Sequence, residues 1–431
     1  MKVKHISPNT IIVLNFASVI IVGGILLFLP ISIKGQGHIS FVDALYISTS
    51  AICVTGLSPL SLSTTFTPFG KIVIALLMQI GGLGITVIST LFIIAIGKKV
   101  DIRNRNIVRE TLNFESGKGV VHFVKDVFIT TITFEVAGAI IFFFIYIKDF
   151  GALESIGLSV FHSISAFNNA GFDILYTNSS LVMYQNNVLF NIITALLIIF
   201  GGIGFLVIRE IVYKKWHFKR YSMHTKIVLS MSAAMIIIGM IAIKCQENIS
   251  WLGAFFLSVS SRTAGFYTYS LRSFVISTNL ILCFLMFIGA SPGSTGGGIK
   301  TTTLFVLFAG VKEFITGKKS QTFHFSLPKN VFKKACVILI LSLTVVFTGT
   351  FLMLLFDRDL TLIEALFEIT SAFATVGLTL DVTPLLSNGS KILCMMMMFI
   401  GRLGPLTITS LGAHSGISED VYYPEGNISI G

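Results

Sequence analysis

One short pattern occurs four times in this chain, each time near the end of an apolar segment too short to cross a membrane. Each copy begins with serine and ends with glycine followed by Leu or Phe. The copies occupy residues 50–57, 165–172, 260–266 and 371–378, and the third has one residue fewer between its serine and its glycine. A pattern that returns in matching context indicates an internal repeat.

A second landmark, a cluster of small residues, follows each copy by 24 to 30 positions. The clusters are Gly81-Gly82-Leu83-Gly84, Gly201-Gly202-Ile203-Gly204, Gly289-Ala290 and Gly401-Arg402-Leu403-Gly404. Two landmarks in fixed order divide the chain into repeat one (1–97), repeat two (98–210), repeat three (211–312) and repeat four with a C-terminal tail (313–431). Four equivalent glycine-containing loops can surround one axis, the geometry needed to coordinate a bare cation.

The composition places these repeats in a membrane. Of the 431 residues, 54% are hydrophobic and 12% are charged, about half the charged fraction of a soluble domain. Most of the long apolar runs reach or approach the roughly 20 residues that span a bilayer. The runs cover 10–33, 72–96, 127–147, 188–208, 227–243, 280–289, 335–356 and 392–400.

Each repeat is therefore predicted to contain a first helix, a half-helix, a loop and a second helix. The half-helices are expected near 41–52, 153–167, 249–260 and 360–373, and at about 12 residues, or 18 Å, they are too short to span a bilayer. The predicted fold is an all-α polytopic membrane protein. Four fused helix–pore-helix–helix repeats surround a central pore, with eight spans and four re-entrant pore loops.

The charges predict the orientation. Lys and Arg gather at the N-terminus and in 98–125, 209–226 and 312–334, whereas the motif loops hold few. The positive-inside rule places both termini in the cytoplasm of a multi-pass protein of the cytoplasmic membrane. Topology and anionic lipid explain the net charge of +11 without a nucleic-acid partner. The five scattered cysteines predict neither disulfides nor a metal site.

The glycine of each motif predicts a selectivity filter. A dehydrated cation needs close oxygens, and backbone carbonyls supply them when consecutive peptides adopt conformations that a Cβ disfavours. The candidate ion-binding residues are Val54, Thr55 and Gly56; Asn169, Ala170 and Gly171; Thr263, Ala264 and Gly265; and Thr375, Val376 and Gly377. The alternative is that these are ordinary loop glycines in a packed membrane bundle.

With the repeats in view, the chain resembles the Trk/Ktr/HKT superfamily of potassium transporters, and within it the KtrB/KtrD type of membrane subunit. The resemblance rests on residues 81–84, 165–172, 262–266, 373–378 and 399–405 and on the tail residues 423–426. It implies K⁺ at the filter, no cofactor bound by this chain and no enzymatic activity. Sodium dependence is a trait of some members of the superfamily.

The resemblance also implies partners. These are a second copy of the chain in a homodimer and a cytoplasmic nucleotide-binding RCK regulatory subunit of the KtrA or KtrC type. Each motif keeps a single glycine of the potassium-channel signature, which predicts moderate discrimination between potassium and sodium. Two other functions stay open: an ion-coupled secondary active transporter of another solute, and an intramembrane enzyme.

The segment 289–301 interrupts the expected second helix of repeat three, because five glycines and Pro292 do not sustain a helix. The superfamily uses such a segment as a gate below the filter. The candidate gate residues are Gly289, Ala290, Ser291, Gly293, Ser294, Thr295, Gly296, Gly297, Gly298, Lys300 and Arg402. One alternative is a static kink. Another is a phosphate-binding loop, but Ile299 interrupts the spacing that such a loop needs. A third is a serine protease with Ser291 or Ser294 as nucleophile, but no suitable base is evident in the sequence.

Arg402 stands where the other repeats have Gly82, Gly202 and Ala290. A guanidinium inside a membrane span normally faces water or a counter-charge. We expect an electrostatic barrier under the filter; the alternative is a structural arginine that pairs with loop carbonyls or Glu368.

Roles are also expected for five further polar residues. Arg262 is expected to brace the filter through a carboxylate such as Asp43 or Glu368. Glu135 is expected to be structural, with an ion or proton relay as the alternative. Asn168 and Asn169 could form hydrogen bonds with the filter backbone, and Asp173 could shape the outer mouth. These three residues lie beside or within the predicted pore loop of repeat two.

Overall fold

A computed structural model describes residues 8–35, 39–96, 119–175, 180–215, 217–318, 321–323 and 325–404. The described chain is predominantly helical, as expected. A small hairpin is the exception to an all-α fold: strand Gln321–Thr322 pairs antiparallel with Phe325–Ser326 in the linker between repeats three and four. The C-terminal tail lies outside the described residues.

Each repeat begins with a long first helix. These helices are Pro8–Phe28, Val120–Tyr146, Met223–Gln246 and Lys329–Phe356. All four are long and apolar enough to cross a membrane. Large apolar side chains such as Ile129, Ile238 and Phe347 are more than half exposed on them. Such a surface suits lipid and would be unfavourable in water.

The half-helices lie within two residues of their expected bounds. They are Phe41–Ile52, Ala152–Phe167, Trp251–Ser260 and Leu362–Ala374. Side chains cap three of their N-termini: Ser40, Ser250 and Thr361 each accept a backbone N–H, and Thr361 forms a capping box with Glu364. Caps fix where a helix begins by satisfying free N–H groups.

The second helices differ from the expectation in repeats one and two. They were expected as continuous spans to residues 96 and 208, and this is wrong. Pro68–Leu83 turns by 97° into Ile85–Ala95, and Val188–Ile203 turns by 100° into Phe205–Lys214. Gly84 (φ 86°) and Gly204 (φ 94°) stand at the turns. Positive φ ends an α-helix, and glycine adopts it without a steric penalty.

In repeat three the second helix is broken by a longer segment, as expected. Ile276–Phe287 ends, residues 288–300 are not helical, and Thr301–Thr316 follows. The second helix of repeat four is Asn388–Leu403. Short helical turns lie between the main elements: Pro30–Ser32, Leu62–Thr65, Val182–Tyr184, Phe218–Arg220, Leu271–Ser273 and Thr383–Leu385.

The four repeats pack as a closed ring. The second helix of each repeat contacts the half-helix of the next repeat, and that of repeat four contacts the half-helix of repeat one. At this closing contact, Lys391 Nζ lies 2.8 Å from Asp43 Oδ1. The first and last repeats are therefore neighbours.

A third landmark, missed in the sequence, fixes the distance between helices. Gly23, Gly138 and Gly239 lie inside first helices, and a Cβ on each would collide with the hydroxyl of Ser48, Ser163 or Ser258 on the half-helix. These hydroxyls donate to carbonyls three residues before each glycine: Ile20, Glu135 and Ile236. Small residues let helices approach closely in a membrane.

Candidate functional site

The four motif glycines form a ring around one axis. All have positive φ: 94° at Gly56, 70° at Gly171, 72° at Gly265 and 98° at Gly377. A Cβ on Gly56 would come within 2.6 Å of the Ala170 carbonyl oxygen in repeat two. A Cβ on each of the others would overlap a carbonyl of the next repeat in turn.

The carbonyls in this ring belong to residues directly before the glycines. Gly171 faces the Ala264 carbonyl, Gly265 faces that of Val376, and Gly377 faces that of Thr55. A contact order that runs through all four repeats and returns to the first has the arrangement of a four-sided filter. All four glycines also line one cavity of about 710 Å³.

The chain enters three of the four loops through an unusual conformation. Val54, Asn169 and Thr375 each follow the half-helix at φ values of 57°, 56° and 52°. Such left-handed geometry is costly for the β-branched Val54 and Thr375 and tends to occur at functional sites. The loop of repeat three is one residue shorter and has no such residue before Gly265.

The motif serines hold the loops in place. Ser50 and Ser371 accept the N–H of Gly56 and Gly377 at 3.0 Å, whereas the hydroxyls of Ser165 and Ser260 donate to Phe172 and Phe266 carbonyls at 2.7 and 2.6 Å. All four serines are fully buried. The recurrence of a serine five or six residues before each motif glycine is the sequence signal of this role.

The small-residue clusters form a second layer against the ends of the half-helices. A Cβ on Gly81, Gly201 or Gly401 would overlap the carbonyl of Ile52, Phe167 or Phe373, respectively, at the end of a half-helix. In repeat three, Gly289 instead faces Gly297 of the loop 288–300. This layer therefore has three similar contacts and one exception.

The loop 288–300 is wedged between repeats two and four. The N–H groups of Ser291 and Thr295 donate to the carbonyls of Gly202 (3.0 Å) and Gly201 (3.2 Å) in repeat two. Gly297 lies so close to Thr375 of repeat four that a Cβ there would overlap its hydroxyl. The Asn169 amide and Thr295 hydroxyl are 2.7 Å apart. These contacts place the predicted gate residues directly against two of the motif loops.

Two cationic side chains bind the carbonyls of this loop. Lys300 Nζ donates to the carbonyls of Gly296 (2.8 Å) and Gly297 (3.4 Å). Arg402 donates to the carbonyls of Thr295 and Gly81. The alternative expectation for Arg402, a pairing with loop carbonyls, is therefore observed. A pairing with Glu368 is not: the Glu368 carboxylate accepts hydrogen bonds from Thr379 and Thr383.

The expectation that Arg262 pairs with a carboxylate is wrong. Arg262 is buried and donates to the carbonyls of Ser232 (3.5 Å) and Gly289 (3.4 Å), and no ion pair joins it to a carboxylate within the described ranges. Asp43 binds Lys391 instead. Arg262 lies in the turn that follows the half-helix Trp251–Ser260, and spacing in sequence does not determine where a side chain in such a turn points.

Glu135 belongs to a buried polar cluster beside the motif loop of repeat two. Asn168 Nδ2 donates to Glu135 Oε1 (2.8 Å), to Gln79 Oε1 (2.9 Å) and to the Ile164 carbonyl. The expectation that Asn168 bonds the filter backbone is therefore wrong. Asp173 lines the 710 Å³ cavity together with the motif glycines.

Comparisons with known proteins agree with this architecture. The profile of the family described as TrkH, Cation transport protein, matches residues 6–244 and 239–416. The chain is 36% identical to "Ktr system potassium uptake protein B" of Bacillus subtilis (strain 168) over 444 residues, covering 100% of this chain and 98% of the relative.

Two further relatives extend the comparison. "Potassium/sodium uptake protein NtpJ" of Enterococcus hirae is 34% identical, over 99% of this chain and 98% of that protein. The crystal structure of the potassium transporter TrkH from Vibrio parahaemolyticus shares the fold, with a TM-score of 0.76 at 18% identity over 96% of this chain and 86% of that one. The chain therefore belongs to the TrkH family of cation transport proteins.

Proposed function

We propose that the chain is the pore-forming subunit of a potassium uptake system that conducts K⁺ across the cytoplasmic membrane without chemical catalysis and without a bound cofactor. One observation carries the proposal. Four glycines with positive φ meet the carbonyls of neighbouring repeats in a closed ring at the base of a 710 Å³ cavity. Potassium is the ion because the relatives from Bacillus subtilis and Vibrio parahaemolyticus are named for it.

The membrane arrangement follows from the same proposal. In it the chain has eight spans, counting each broken second helix as one, and four re-entrant loops. The cavity faces outward and both termini lie in the cytoplasm, in agreement with the positive-inside rule. The half-helices point their C-terminal ends, which carry partial negative charge, toward the ring, and this favours a cation there. The single glycine per loop predicts moderate selectivity, which agrees with the name of the Enterococcus hirae relative, a potassium/sodium uptake protein.

The loop 288–300 is the proposed gate. Its irregular backbone lies between the motif loops of repeats two and four, where irregular backbone survives in a membrane because it packs in protein or lines water. Arg402 and Lys300 stabilise this position through loop carbonyls. The proposal includes a homodimer and a cytoplasmic RCK-type subunit that moves the loop; the name "Ktr system" of the Bacillus subtilis relative agrees with several subunits.

Growth of a potassium-uptake-deficient bacterial strain on low potassium tests this function. Expression of the chain with its regulatory subunit should restore growth, and Gly265→Ser should abolish it because the added atoms overlap the Val376 carbonyl. Gly157→Ala is the matched control, since nothing lies within 4 Å of the position of its new Cβ. Full growth with Gly265→Ser, at equal protein in the membrane, contradicts the proposal. An ion-coupled transporter of another solute predicts no rescue by the unmodified chain.

A further inference from the structure

The cavity above the glycine ring has one rim residue from each repeat. These residues stand two positions after each motif glycine: Ser58, Asp173, Tyr267 and Thr379. Because they follow the ring directly, any shift of a rim residue moves the carbonyls beside it. How each is anchored therefore bears on the geometry of the ring.

Three rim residues are anchored within the connecting segments that follow the motifs. The Ser58 hydroxyl donates to the Leu60 carbonyl at 2.6 Å. Asp173 Oδ1 accepts the N–H of Leu175 at 3.3 Å. The N–H of Tyr267 donates to the Ser180 hydroxyl at 3.4 Å, and its carbonyl accepts the N–H of Leu181 at 3.1 Å, so both bonds join it to the connecting segment of repeat two.

The rim residue of repeat four is anchored to a half-helix instead. The Thr379 hydroxyl donates to Glu368 Oε2 at 2.8 Å, and the Thr383 hydroxyl donates to Oε1 at 2.5 Å. The Thr379 hydroxyl also accepts the N–H of Val382 at 3.2 Å. Glu368 has no exposed surface. Both of its oxygens thus hold the segment that leaves the ring.

No other repeat has an equivalent anchor among the described residues. The positions three residues before the motif serines are Ile47, His162, Leu257 and Glu368. Two are apolar, and His162 lies 3.1 Å from the Thr194 hydroxyl on a second helix, away from the rim. Glu368 instead binds two hydroxyls of the segment that follows the motif, those of Thr379 and Thr383. The rim of repeat four is therefore tied directly to the rigid helical frame, unlike the anchors described for the other three.

We propose that Glu368 is a positioning residue that sets the spacing of the ring in repeat four and thereby the discrimination between K⁺ and Na⁺. This inference rests on the proposed function. A rim held at fixed distance keeps the Gly377 side of the ring at a size that suits a larger dehydrated ion. Release of the rim lets the ring contract around Na⁺, since a flexible filter adapts to smaller cations.

Tracer uptake of ⁸⁶Rb⁺ and ²²Na⁺ tests the proposal in cells that express the full chain with its regulatory subunit. Glu368→Ala should lower the Rb⁺/Na⁺ uptake ratio about tenfold, because it removes the buried hydrogen bonds from both Thr379 and Thr383. Thr379→Val, which keeps the shape but not the hydroxyl, should lower it in the same direction. Because both act through one contact, the double variant should fall well short of the product of the single effects.

Two controls separate positioning from folding. Glu364→Ala changes the same half-helix at an exposed capping position and should leave the ratio unchanged. A merely structural role for Glu368 predicts less protein in the membrane with an unchanged ratio. If the Glu368→Ala variant does not accumulate in the membrane, the uptake ratio is measured in Glu368→Gln and Thr379→Val instead.

An unchanged ratio in Thr379→Val and in either Glu368 variant that accumulates overturns the inference while the proposed function stands. Failure of the unmodified chain to take up Rb⁺ overturns the proposed function itself. The two failures are thus distinguishable in one experiment.

Discussion

The glycine ring and the layer next to it are built from the same four repeats, yet they differ in symmetry. In the ring, each repeat supplies a glycine with positive φ and a carbonyl for its neighbour. In the adjacent layer, the equivalent positions are Gly82, Gly202, Ala290 and Arg402, and one repeat adds the loop 288–300.

The difference teaches where a repeated fold can change. A cation coordinated from all sides needs similar contributions from each repeat, and each repeat supplies a glycine and a carbonyl to the ring. The proposed gate, in contrast, needs an element that moves alone, and the loop 288–300 with its bonds to Lys300 and Arg402 has no equivalent in the other described repeats. Duplication supplies the symmetric part, and changes in repeats three and four supply the asymmetric part.

The largest expected effect comes from adjacent glycines in the second helix of repeat two. Gly201→Ala should lower K⁺ uptake about 100-fold, since its Cβ overlaps the Phe167 carbonyl and displaces the motif loop. Gly202→Ala is the matched control, because its Cβ would meet atoms at 3.7 Å and beyond. Rate measurements at equal membrane protein check this; equal loss in both variants would break the proposed link between the layer and the ring.

The asymmetric layer should respond in the opposite direction. Arg402→Ala removes the bonds to the Thr295 and Gly81 carbonyls, so the loop is released and the rate of K⁺ uptake should rise about tenfold. Arg358→Ala, an exposed position in the same repeat, should have no effect. An unchanged or lower rate in Arg402→Ala, at equal protein, would mean that the arginine is structural and not a barrier.

The smallest effect tests whether the ring is equally constrained in all repeats. Replacing the motif serines one at a time by alanine should lower the Rb⁺/Na⁺ uptake ratio about fivefold in each variant, because each loses one hydrogen bond that holds a motif loop. A fivefold change corresponds to about 1 kcal/mol, the typical contribution of one hydrogen bond. Ser50 and Ser371 represent one bonding mode, and Ser165 and Ser260 the other. Ser273→Ala, at an exposed site, is the control. A loss confined to one repeat would contradict the idea of equal constraint.

Local chemistry predicted a large part of this structure. The half-helix of repeat one was expected over 41–52 from its short apolar stretch and is Phe41–Ile52, with Ser40 capping its N-terminus. The break after Phe287 was equally visible, because glycines and proline act on the backbone directly. The convergence of the four motif glycines followed from the repeat.

The parts that were missed depend on geometry between helices. The turn at Gly84 lies inside a continuous apolar run, and hydropathy does not distinguish a bent helix from a straight one. The partners of Arg262 depend on the turn that follows Ser260 and on the path of the chain near Gly289. Gly23 lies within a long apolar helix, and only the packing of Ser48 against it shows why a residue without a side chain is needed there.

The bond between Lys391 and Asp43 joins positions that are 348 residues apart. The ribosome must therefore synthesise repeat four before repeat one can contact its second neighbour. Until then the ring of repeats has an open side, so the enclosed arrangement of the four motif loops is completed only at the end of synthesis.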